Sequence, residues 1–170
     1  MATNISLNQK QPAQSSRGLL DIPTAIAGLA VASALGGWIT AGSIDSGWYA
    51  SLAKSSLNPP NMVFGPVWTT LYILMFFAFV NARKASPIDA IDYKVVFGVN
   101  LAINLLWSVV FFGYTNVTAG FWVIVAYLFT CVATAMIFGK YSSRAAWMIV
   151  PLIAWVSFAG YLNFVIMRLN

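Results

Sequence analysis

Residues 95–139 read VVFGVNLAINLLWSVVFFGYTNVTAGFWVIVAYLFTCVATAMIFG, 45 positions without one charged side chain. A membrane-spanning helix needs about 20 consecutive apolar residues. This run is too long for one span and long enough for two. Turn formers interrupt it at Gly113-Tyr114-Thr115-Asn116-Val117-Thr118-Ala119-Gly120, which predicts helices over 95–113 and 119–139. Working outward, uncharged stretches of 28 residues separate Lys54 from Arg83, 23 separate Asp21 from Asp45, and 23 separate Arg144 from Arg168. These predict helices over 22–44, 66–84 and 145–167. The expected fold is an all-α integral membrane protein, a bundle of five transmembrane helices forming one domain over 21–170.

Composition agrees. The 170 residues are 60% hydrophobic and 8% charged, against roughly a quarter charged in soluble domains. There is no His, which excludes an imidazole base, Ser-His-Asp or Cys-His catalysis and His-ligated metal. No catalytic residue and no metal site are expected. The single Cys131 permits no intramolecular disulfide. All four acids stand at the edges of the apolar runs, so no paired carboxylates serve a proton relay inside the bilayer. The net charge of +5 belongs to the loops that set orientation, and nucleic acid is not an expected partner.

Residues 1–20 read as a disordered polar tail. The run after it contains Ala32-Ser33-Ala34, which resembles a signal-peptide cleavage site, but it exceeds the usual apolar core of about 7–15 residues. Five spans place the termini on opposite sides. Lys10, Arg17, Arg83, Lys84, Lys94, Lys140 and Arg144 fall on the side of the N-terminus, and only Lys54 and Arg168 on the other. In a cytoplasmic membrane, the positive-inside rule then makes the N-terminus cytoplasmic and the C-terminus external. Residues 45–65, rich in Pro and Gly, form an external loop.

The seven Trp are unevenly placed in depth. Trp48, Trp122 and Trp147 suit an interfacial belt. Trp38, Trp68 and Trp107 lie within about two turns of the outer surface, and Trp155 lies near the middle of its helix. At 100° per residue, Asn100, Asn104, Trp107 and Phe111 share one face within about 60°. A carboxamide in a membrane is costly unless hydrogen-bonded, so this face is expected to look inward. Gly98 and Ala102 share the opposite face and allow close approach of another helix. Gly28, Ala32 and Gly36 make a similar stripe on the first helix. Trp68 and Tyr72 repeat the aromatic theme on the second helix, as do Trp155, Ala159 and Leu162 on the fifth, with Asn163 beside them. Aromatic stripes converging on one depth suggest a flat apolar ligand held by stacking and a few hydrogen bonds, with the 45–65 loop as a lid.

Trp48-Tyr49-Ala50-Ser51-Leu52-Ala53-Lys54, then Pro59-Pro60, then Phe64-Gly65-Pro66-Val67-Trp68-Thr69-Thr70-Leu71-Tyr72 resembles the signature of the translocator protein / tryptophan-rich sensory protein family. Leu101 to Asn104, Trp107 and Phe111-Phe112 resemble its third helix, and Pro151, Ala154-Trp155, Phe158-Ala159 and Leu162-Asn163 its fifth. The resemblance implies a five-helix bundle, often a homodimer, that binds porphyrins such as protoporphyrin IX and haem as ligands with no required cofactor. In some members it also implies sterols and synthetic drugs. By matched position, Trp68, Asn104, Trp107, Trp155, Ala159 and Leu162 would line the cavity, with Tyr72 beside Trp68; Trp38, by its depth, and Phe111, by its helix face, are expected among the ligand-binding residues as well. Trp48, Tyr49, Lys54, Pro59 and Pro60 would cover it, and Gly98 and Ala102 would form the dimer contact. The sterol-recognition pattern is not met, because Phe164 stands where it wants Tyr. Roles in porphyrin sensing, trafficking or stress regulation, light-dependent porphyrin breakdown, and porphyrin or sterol transport are the functional classes that follow.

Overall fold

The computed structural model describes residues 20–87 and 89–170. The tail expected over 1–20 therefore lies, apart from Leu20, outside the described residues. The chain forms α1 (Asp21–Asp45), the short α2 (Trp48–Ser51), α3 (Asn61–Ala85), α4 (Asp92–Ser108), α5 (Val117–Tyr141) and α6 (Ser143–Leu169). A π-helical turn over Val109–Gly113 continues α4 without a break. The five long helices hold 25, 25, 22, 25 and 27 residues, counting that turn with α4. At 1.5 Å per residue they reach about 33–40 Å, enough to cross the roughly 30 Å hydrocarbon core. Large apolar side chains such as Met62, Phe129 and Trp147 cover the outside of the bundle, as lipid contact requires.

Two boundaries differ from expectation. Pro66 was expected at the first position of its helix, but α3 begins at Asn61 and carries Pro66 inside. Pro60 nucleates the helix instead: its carbonyl accepts the Val63 N–H at 2.9 Å. Pro66 then costs one main-chain bond in a segment already begun upstream. The second difference is the π turn, where Tyr114 N–H reaches back five residues to the Val109 carbonyl at 2.8 Å. The turn-rich break itself stands as expected. Thr115 adopts a left-handed φ of 51°, and Asn116 caps α5 by accepting the Ala119 N–H at 2.9 Å.

The long helices close a ring in the order α1, α3, α6, α5, α4. The small stripe of α1 explains how α1 docks. A Cβ on Gly28 would meet Leu101 Cδ1 at 3.1 Å and one on Gly36 would meet Ser108 Oγ at 3.3 Å, while Ala32 is buried. That stripe packs against α4 within the chain, which removes it as an alternative dimer surface. Gly98 and Ala102 face outward, with nothing within 4 Å of a Cβ on Gly98.

At the end of the bundle where α1 begins, Asp21 is 11% exposed and joins three helices. It accepts from Lys94 Nζ at 2.8 Å, Arg83 Nε at 3.3 Å and Tyr93 Oη at 3.1 Å. Asp92 accepts the Tyr141 hydroxyl at 2.6 Å and pairs with Lys140 at 3.8 Å. Above this clasp, Phe79, Phe97 and Phe138 fill the interior, with ring centroids 4.8 and 6.2 Å apart along the series.

Candidate ligand cavity

The opposite end is roofed by the segment between α1 and α3. Gly47, at φ 77°, supplies the left-handed turn that starts it, and α2 follows directly. Tyr49 is buried and donates its hydroxyl to Asn58 Oδ1 at 3.0 Å. Burial pushes that hydroxyl above its ordinary pKa of 10.0, with the Asn58 contact opposing the shift. The Lys54 ammonium donates to the carbonyls of Tyr49, Leu52 and Ala50, at 2.9 Å and 3.3 Å for the last two. A cation here satisfies carbonyls that a four-residue helix leaves without partners. Asn170 then ties the roof to α6: its Nδ2 donates to the Ala53 carbonyl and its Oδ1 accepts the Ala53 N–H, both at 3.0 Å.

Trp48 and Tyr49 rest on the π turn. Trp48 meets Phe111 edge-on at 5.7 Å between centroids, and Tyr49 meets Phe112 at 5.6 Å. Phe111 is clamped from below by α5, where Gly120 leaves the space its ring occupies. A Cβ on Gly120 would lie 2.7 Å from Phe111 Cδ2.

Beneath the roof, a cavity of about 350 Å³ opens between α1, α3 and α4. This is within the range of small-molecule sites, roughly 300–1,000 Å³. Its walls are Phe64, Trp68 and Tyr72 from α3, Asn104, Trp107 and Phe112 from α4 and the π turn, and Gly36, Gly37, Thr40 and Ile44 from α1. None of its lining residues is charged. The polar contacts inside are directional. Tyr72 donates to Asn104 Oδ1 at 2.7 Å, which leaves the Asn104 N–H groups as donors. Trp107 donates its indole N–H to Asn163 Oδ1 at 3.2 Å, and Asn163 Nδ2 donates to the Ala159 carbonyl at 3.0 Å. Trp107 is thereby fixed, with its ring stacked on Phe111 at 18°. Trp68 and Tyr72 lie 5.6 Å apart at 33°. Exposed small residues, Ser33, Gly37 and Ala41 on α1 and Gly65 and Thr69 on α3, border the cavity toward the outside of the bundle. They make a window of small side chains between α1 and α3, two helices long and apolar enough to cross a membrane.

The expected site residues divide into two groups. Trp68, Tyr72, Asn104 and Trp107 come together on the wall, with Tyr49 above them. Trp38 does not: it is 76% exposed and faces away from the bundle, because the small stripe, not the indole, turns α1 toward α4. Phe111 is buried between roof and α5 and is absent from the cavity lining. Ala159 and Leu162 are buried in the bundle interior, also away from the lining. Trp155 stands 5.9 Å from Phe64 and lines a shallow apolar groove on the outer side of α3 and α6, with Pro66 and Pro151. The expected 45–65 lid is shorter as a loop, since α2 and the first turns of α3 occupy part of it. Within it, Trp48, Tyr49, Lys54 and Pro59 are half-buried or buried, whereas Pro60 is exposed at the start of α3. Sequence reasoning missed Phe64, Phe112 and the α1 wall. Phe64 lies one turn before Trp68 at i−4, a signal the assumed helix start at Pro66 concealed.

A sequence profile of the TspO/MBR family matches residues 25–169. The chain is similar to Tryptophan-rich protein TspO of Chlorobaculum tepidum, 40% identical over 129 residues that cover 74% of this chain and 80% of that protein. It is similar to the Tryptophan-rich sensory protein of Cereibacter sphaeroides, 35% identical over 124 residues, 72% of this chain and 77% of that one. It is also 33% identical to the Translocator protein of Homo sapiens over 131 residues, 72% and 75% of the two chains.

Proposed function

The chain belongs to the TspO/MBR family, an integral membrane protein with a receptor- or translocator-like role, and from that premise we propose that its cavity binds a flat tetrapyrrole by the apolar face of its macrocycle. Protoporphyrin IX and haem are the ligands of choice, and sterols or drugs are secondary ones. The observation that carries this reading is the uncharged aromatic wall of Trp68, Tyr72, Trp107 and Phe112 around one oriented carboxamide, Asn104. Such walls bind π-faces by stacking, and the carboxamide rewards a ligand that brings an acceptor. With no His in the chain, the iron of haem receives no imidazole, and stacking of the macrocycle on the aromatic wall carries the binding we propose. The window between α1 and α3 offers entry from the bilayer without opening the roof.

Saturable quenching of Trp fluorescence by protoporphyrin IX tests this. Trp68→Phe and Trp107→Phe are expected to weaken binding, and Trp155→Phe, outside the cavity, to leave the affinity unchanged. Equal affinities in all three variants would remove the cavity from consideration. The exposed Gly98 and Ala102 face is the proposed contact of a homodimer, which Ala102→Cys cross-linking between copies would report. The proposed orientation puts the end holding Asp21 and Lys94 in the cytoplasm, which labelling of a cysteine placed at Lys84 from either side would check.

A further inference from the structure

Below Asn104, α4 and α5 bring two polar stripes together. Asn100 lies one turn from Asn104 on α4, and Cys131 one turn from Tyr127 on α5; all four are buried. Asn100 Nδ2 reaches the Cys131 sulfur at 3.5 Å, and the same thiol faces the Tyr127 hydroxyl. Two buried atoms in this cluster, Asn100 Oδ1 and Tyr127 Oη, make no well-aligned hydrogen bond among the described residues, the latter although the Cys131 thiol and the Asn104 carboxamide lie near it. One is an acceptor, and the other carries a proton to donate. A bare polar atom in an apolar interior bears its full desolvation penalty, and two such atoms beside one thiol form a site with complementary needs.

We propose that a single internal water molecule bridges α4 and α5 at this point. It accepts the Tyr127 O–H and donates to Asn100 Oδ1, with the Cys131 sulfur as a third neighbour. Buried waters make about three such bonds. The site lies below the ligand cavity, adjoining its wall through Asn104, and its presence does not depend on which ligand that cavity binds. It completes a polar line running from Tyr72 and Asn104 into the middle of the bundle, and it holds the α4 segment from which Asn104 and Trp107 project.

The test is a double-mutant cycle in the full-length protein in lipid nanodiscs, read by thermal unfolding. Tyr127→Phe and Asn100→Ala are each expected to lower Tm by roughly 2–4 °C, and the double variant to fall no further than the lower single, because either loss releases the water. The coupling is expected to persist in a Cys131→Ala background. A Tyr127→Phe protein as stable as the parent or more so, additive losses, or coupling that disappears with the thiol would each overturn the water. If the Asn100 variants do not fold, a high-resolution structure of the parent decides: density at hydrogen-bonding distance from both atoms supports the site, and its absence overturns it.

Discussion

At the roofed end, α1, α3 and α4 surround a cavity walled by Trp68, Tyr72, Asn104 and Trp107. At the other end the same three helices are drawn together by Asp21, which accepts from Lys94, Arg83 and Tyr93. The interior above that clasp is filled by Phe79, Phe97 and Phe138. The roofed end places Gly36, Gly37 and Ala41 opposite its aromatic rings. Side-chain volume makes the difference: large rings meeting large rings close one end, and glycines facing indoles leave space at the other.

The contrast can be broken at several points. The largest effect is expected from Gly120→Ala, whose Cβ would lie 2.7 Å from Phe111. Overpacking of this kind costs roughly 1–3 kcal/mol, and the shift of Phe111 would dislodge Trp48 and Tyr49; a lowered Tm together with faster proteolysis of the roof is the expected pair of results. Asp21→Asn attacks the closed end. Its partners are partly exposed, so a loss of about 1–2 kcal/mol is expected, between the values for exposed and buried pairs. Thermal unfolding would show the loss, while porphyrin affinity should stay near that of the parent. Asn104→Leu should act in the opposite sense, weakening porphyrin binding about tenfold, or 1.4 kcal/mol, with fluorescence titration as the readout. Asn170→Ala removes both bonds to Ala53 and is expected to cost under about 1 kcal/mol, seen as faster amide exchange in residues 52–58. The smallest effect concerns pH. The raised pKa of Tyr49 favours its neutral form in the folded roof; that contribution is fully present below about pH 10 and is lost as pH rises through the folded value. Proteolysis of the roof should be flat from neutral pH to about pH 10 and accelerate above it.

Much of this was legible in advance because the helix repeat is local. Asn100, Asn104, Trp107 and Phe111 share a face by periodicity, and all four are buried. Periodicity does not say which neighbour a face meets. Phe111 meets α5 and the roof, whereas Trp107, one turn away, meets the cavity and Asn163. Trp155 was expected inside because it lies at mid-helix, yet the packing of α6 on α3 turns it to the outer groove. Pro66 looked like a helix start because proline suits one; Pro59-Pro60 upstream supplied the actual one.

The spacing of 13 charges along the chain, with the turn formers at 113–120 that divide the longest uncharged run, determined five spans, because both the cost of moving a charge into hydrocarbon and the preference for a turn are local. The cavity was decided only by tertiary structure. Its volume is the difference between helix separation and side-chain size, summed over Gly36, Trp68, Asn104 and their neighbours on three helices far apart in sequence. No local pattern contains that distance.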